Sequence, residues 1–214
     1  MTPSLLARSA ASLSIIAGAL VVITRLVMLT VPADVESLMV YVLTATWSIT
    51  SIVQVVAFAM LVVALVATYE LQARETGVLG LIALGAAILG TVFMAGDWWF
   101  EAFAVPRIAE VDPSVMVGFA QSRLLLGGLM SFALFGIGWI LYGIASARGR
   151  VFPAAISWAI VAGGLLSAVP IGVVYLSGNV ILGLALVALG IWLIRSRATV
   201  AREAREARKA STIG

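Results

Sequence analysis

The sequence predicts an all-α integral membrane protein, a six-helix transmembrane bundle with both termini cytoplasmic and no soluble domain. Three observations predict it. Of the 214 residues 63% are hydrophobic and 11% charged, against about 25% charged in ordinary soluble domains, so polar surface is too scarce to coat a globule in water. Six apolar stretches reach or approach the roughly 20 residues that cross about 30 Å of hydrocarbon. The breaks between them are short and polar, too short to hold a folded extramembrane domain.

The spans read as Ser9–Val31, Thr46–Tyr69, Val78–Ala104, Phe119–Ala145, Pro153–Tyr175 and Gly178–Ile194. Pro32 to Asp34 ends the first, Glu70 to Gly77 the second, Pro106 to Pro113 the third and Arg148 to Arg150 the fourth. Leu176-Ser177-Gly178 separates the last two. Pro170 should kink or end the fifth helix, because proline has no backbone N–H to donate. The first span is preceded by Arg8 and followed by Val31-Pro32-Ala33, which also suits a cleaved signal peptide; Arg25 within the apolar stretch argues against that. The bundle is taken as 1–197, followed by a basic cytoplasmic tail, 198–214. Ala, Arg and Glu there favour helix, and Arg202 and Glu206 can pair one turn apart.

Orientation follows from basic residues, which are retained on the cytoplasmic side. With the N-terminus inside, Arg8, Arg74, Arg148, Arg150 and the tail's basic residues are inside, while Arg107 and Arg123 are outside. Trp and Tyr collect at the two interfaces. Tyr41, Trp47, Trp98, Trp99 and Tyr175 then form an outer belt, and Tyr69, Trp139, Tyr142, Trp158 and Trp192 an inner one. Small residues that let helices approach recur at Ala10, Ser14 and Gly18, and at Gly163 and Ser167, with further glycines throughout the third and fourth spans.

The absence of His and Cys excludes disulfides, His-ligated zinc or haem, and imidazole-based catalysis. No metal site or cofactor is expected. No GxxxxGK phosphate loop occurs, and no inverted repeat relates the two halves. Nucleic acid is not an expected partner, because the basic tail has no interleaved aromatic residues to stack bases; attraction to an anionic leaflet accounts for it.

Ionisable and amide groups inside spans are costly and point to function. Arg25, Gln54, Asp97, Glu101, Arg123 and Asn179 converge on the outer leaflet from five helices. Asp97 and Glu101, four apart, share a helix face, and Trp98 can line the same cavity, whereas Trp99 and Phe103 share another face. One reading closes these charges into an ion-pair network that locks the bundle, with a carboxylate satisfying Arg25. The other opens them around a ligand: Arg25, Gln54, Trp98, Arg123 and Asn179 bind, and Asp97 and Glu101 catalyse if the protein is an enzyme.

The stretch Gly96–Pro113, GDWWFEAFAVPRIAEVDP, with the Gly-rich span after it, resembles uncharacterised multi-pass membrane proteins of actinobacteria. The resemblance covers the central third of the chain. It implies a bacterial plasma-membrane protein and transfers no catalytic residue. The leading expectation is a protein that binds a small amphiphile or lipid in a charged and aromatic outer-leaflet pocket. Its partners are membrane lipid and a hydrophobic small molecule, with a homo-oligomer or a partner membrane subunit as the candidate assemblies. An isomerase or terpene-cyclase-like enzyme using a buried carboxylic acid, a proton-coupled transporter and a structural subunit are the alternatives.

Overall fold

The computed structural model describes residues 5–32, 34–112, 114–117 and 123–213. These residues form helices α1 (Leu5–Met28), α2 (Val35–Tyr41), α3 (Ala45–Val111), α4 (Ser114–Val117), α5 (Arg123–Gly149), α6 (Ala154–Ser167) and α7 (Gly172–Ile213), with no strand among them. Among the described residues, four helices are long and apolar enough to cross a membrane: α1, α3, α5 and the Gly172–Ser196 portion of α7.

With 67 residues, α3 would span roughly 100 Å if straight at 1.5 Å per residue. Instead it folds back on itself at Gly77, whose φ of 55° and ψ of −141° leave the helical region. Glycine alone tolerates such a backbone readily, since it has no Cβ to clash. The two arms run antiparallel: Tyr69 packs against Gly80 beside the turn, and at the far end the Trp47 indole N–H donates to the Glu101 carbonyl at 2.9 Å. Each arm corresponds to one expected span. The turn is nevertheless a single residue where an eight-residue break was expected, because Glu70 to Thr76 continue the first arm as helix.

Several other boundaries differ from the sequence reading. The second arm continues through Pro106 to Val111 rather than ending at Ala104. Asp34 caps a short helix, α2, in a stretch that sequence left unassigned; its carboxylate accepts from the Ser37 amide at 2.8 Å. The fifth span is shorter than expected, because α6 stops at Ser167 and α7 begins at Gly172. Pro170 explains the stop: it lacks the N–H that would extend the helix and disfavours helical geometry in the residue before it. No break occurs at Leu176-Ser177-Gly178, which lie inside α7. The expected start of the fourth span at Phe119 lies outside the described residues. The helical backbone of α7 carries on through the basic tail to Ile213.

The long helices close a ring in the order α1, α3, α5, α6, α7 and back to α1. Small residues set the spacing. A Cβ on Gly18 of α1 would stand 2.4 Å from the Gly183 carbonyl oxygen of α7, and one on Gly138 of α5 would stand 2.5 Å from the Ala86 carbonyl oxygen of α3. Backbones in such contact maximise the dispersion that binds helices in lipid. Trp139 and Tyr142 are fully buried in the centre of this ring. Their polar atoms are paired within it, the Trp139 indole with Thr91 at 3.2 Å and the Tyr142 hydroxyl with Thr68 at 2.6 Å. They therefore belong to the bundle interior, whereas Trp99 and Trp158 of the expected belts are exposed on its outside.

Candidate ligand-binding site

At the end of the bundle opposite Gly77, the last turns of α1, both ends of α3, the start of α5 and the α6–α7 junction surround a cavity of about 650 Å³. Arg25, Trp47, Asp97, Trp98, Glu101 and Tyr175 line it, with Gly128, Phe132 and several aliphatic side chains completing the wall. Its size falls within the range of small-molecule sites, about 300–1,000 Å³.

Arg25 is 1% exposed, and nothing in the sequence near it supplies a counter-charge. Its Nη2 donates to the Tyr175 hydroxyl at 2.7 Å and, more weakly, to Asn179 Oδ1 at 3.5 Å. The guanidinium carbon lies 4.6 Å from the Trp98 ring centroid, 4.7 Å from that of Tyr175 and 5.8 Å from that of Phe58. Aromatic faces attract a cation through their quadrupole, more strongly where water is excluded. Arg25 Nε and Nη1 have no hydrogen-bond partner. Neither Asp97 nor Glu101 makes a salt bridge with it, although both are half-buried on the same cavity wall.

The partners of Arg25 are themselves held. Asn179 Nδ2 donates to Ser167 Oγ at 3.1 Å and to the Tyr175 carbonyl at 3.0 Å, tying the end of α6 to α7. The Tyr175 hydroxyl, having accepted from Arg25, donates to the Met94 sulfur at 3.4 Å, and its ring meets Phe132 edge-on with centroids 4.6 Å apart. Tyr175 and Asn179 are one turn apart and so present to one face of α7. That face exists because α7 starts at Gly172; a break at Leu176 to Gly178 would have separated the two residues.

Of the residues expected at the site, Arg25, Asp97, Trp98 and Glu101 line one cavity, and Asn179 supports Arg25 from behind it. Gln54 is fully buried and off the cavity wall, with neither amide atom partnered. Arg123 is exposed at the first turn of α5 and also off the wall. Trp47 and Tyr175, which the sequence placed in the outer aromatic belt, also line the cavity and were not among the residues expected at the site. Trp99 and Phe103 do share an outward face, with ring centroids 5.5 Å apart. Among the described residues no group of His, Cys, Asp and Glu could hold a metal ion.

No protein family, curated protein or solved structure matches this chain.

Proposed function

We propose that this chain is a multi-pass protein of the bacterial plasma membrane that binds a small amphiphile or lipid in the cavity, which opens toward the outer leaflet with both termini in the cytoplasm. The observation that carries this reading is Arg25, a buried cation with two nitrogens unpartnered on the wall of a cavity of about 650 Å³. A buried polar group without a partner loses hydration and gains nothing in return, and an unpaired charge loses more. A bound polar head would supply the missing acceptors, while the aliphatic and aromatic wall would take the apolar part.

Gly128 provides a test, since it lines the cavity and a Cβ built on it meets no atom within 4 Å. Native mass spectrometry of the chain purified in dodecyl maltoside should find a retained amphiphile in the wild type and none in Gly128→Phe. Retention by both, or by neither, would overturn the reading.

A second reading, an isomerase or cyclase, is favoured by Asp97 and Glu101 facing the same aromatic-walled cavity. Either could donate a proton to a hydrophobic substrate. An Asp97→Asn, Glu101→Gln double variant that turns over a prenyl substrate at the wild-type rate would end it.

A further inference from the structure

A second cavity of about 220 Å³ adjoins the first, and Arg25 borders both. It is a groove between α1 and α7, lined by Arg25 and Leu29 on one side and by Val173, Leu176, Val180 and Ile181 on the other. Helix crossing explains why it is there. The backbones of α1 and α7 touch at Gly18 and Gly183, and again at Ala11 and Gly190. Beyond Arg25 the facing residues are branched and large, so the helices are held apart. Leu29 and Val173 are 61% and 67% exposed, so the groove is open on the side of the bundle. Neither carboxylate lines it.

We infer that the site takes a single-chain zwitterionic amphiphile, its chain in the α1–α7 groove, its anionic group on Arg25 and its cationic group toward Asp97 and Glu101. This rests on the proposed binding of an amphiphile in the main cavity. Charge complementarity selects the head. The unpartnered Nε and Nη1 of Arg25 call for an acceptor, and two carboxylates that make no salt bridge with it call for a cation or donor. A purely anionic head would face the two acids, and a purely cationic one would face Arg25; like charges at close range in a low dielectric repel strongly. The groove selects the tail, because it is apolar, narrow and open to the side from which a chain in a bilayer would enter.

The test is binding of chain-matched probes to the full chain in dodecyl maltoside, read by scintillation proximity: hexadecyl phosphoethanolamine, hexadecyl phosphate, hexadecylammonium and chain-free phosphoethanolamine. The first should bind at least tenfold more tightly than any of the others. Val180→Trp or Leu29→Trp, which fill the groove, should weaken it at least tenfold, and Asp97→Asn with Glu101→Gln should bring it level with hexadecyl phosphate. Equal or tighter binding of either probe whose head carries charge of one sign only, with Gly128→Phe still blocking it, would overturn the head assignment and leave the cavity reading standing. Binding unaffected by both groove variants would overturn the tail assignment, and tight binding of chain-free phosphoethanolamine would replace the amphiphile by a soluble zwitterion. Binding indifferent to Gly128→Phe, or no saturable binding of any probe, would overturn both the inference and the reading beneath it.

Discussion

Tyr175 and Asn179, one turn apart on α7, both accept from the same nitrogen of Arg25, at 2.7 and 3.5 Å. A permanent charge is thus anchored by two neutral oxygens and aromatic faces, and its other nitrogens are left for something else. Hydrogen bonds to charged groups contribute roughly 1.5–3 kcal/mol, so Tyr175→Phe should destabilise the protein by about that amount. Asn179→Leu should cost more than its long contact with Arg25 implies, because Ser167 also loses its partner. Thermal unfolding in detergent measures both.

Replacing the charge together with its closest partner should behave differently. An Arg25→Met, Tyr175→Phe double variant removes the buried cation and the hydroxyl at once, and apolar replacement of buried charged groups is often neutral or stabilising. The expected result is a melting temperature at or above that of Tyr175→Phe alone, with loss of the retained amphiphile. A double variant that keeps the amphiphile would show that Arg25 plays no part in binding.

Glycines in this chain should divide by what faces them. Gly18→Leu puts a side chain where the Gly183 carbonyl already stands, and overpacking of this kind costs about 1–3 kcal/mol or more. Gly85→Ala meets no atom within 4 Å and should stabilise by roughly 0.5–1 kcal/mol through reduced backbone entropy in the unfolded chain. Paired melting curves of the two variants give opposite shifts if α1 and α7 pack as described.

Gly77→Ala isolates a backbone effect, because a Cβ there has no neighbour within 4 Å while the φ of 55° strains any other residue. A loss of about 1–3 kcal/mol is expected. An unchanged melting temperature would mean that the arms of α3 join in some other geometry.

The Asp34 cap gives a pH signature outside the spans. The Ser37 amide and hydroxyl hold its carboxyl below the usual carboxylate range. A lowered folded-state pKa means that the stabilisation is fully present above the unfolded value, near 3.8, and is lost as pH falls through the folded one. Protection of the Ser37 amide against hydrogen exchange should therefore fall on acidification below that range. In Asp34→Ala it should be absent at every pH.

Hydropathy made most of the helices legible, because length and apolarity are properties of the chain alone. Pro170 was legible as a helix end because its backbone limits hold in any context, whereas Gly77 was legible only as the last residue of a longer polar break, most of which is helix. Gly178 misled because its role is tertiary, since a Cβ on it would stand 2.4 Å from the Ser167 amide nitrogen. Reading it as a break hid the shared face of Tyr175 and Asn179. Asp97 and Glu101 were correctly placed on one face by their spacing. The rotation of each helix about its axis is set by packing, so depth alone could not tell that Gln54 and Arg123 would fall off the cavity wall.

The one-residue turn at Gly77 also bears on the order in which the molecule assembles. Contacts between the arms of α3 begin beside the turn, at Tyr69 and Gly80, and end with Trp47 and Glu101, 54 residues apart. Once the first pair has formed, each further pair closes only a short additional loop, which costs little chain entropy. The hairpin is therefore built to zip from Gly77 outward, and the pair that borders the binding cavity is the last to meet. The arms of α3 would then be joined near Gly77 before the Trp47 end, where the cavity lies, is closed.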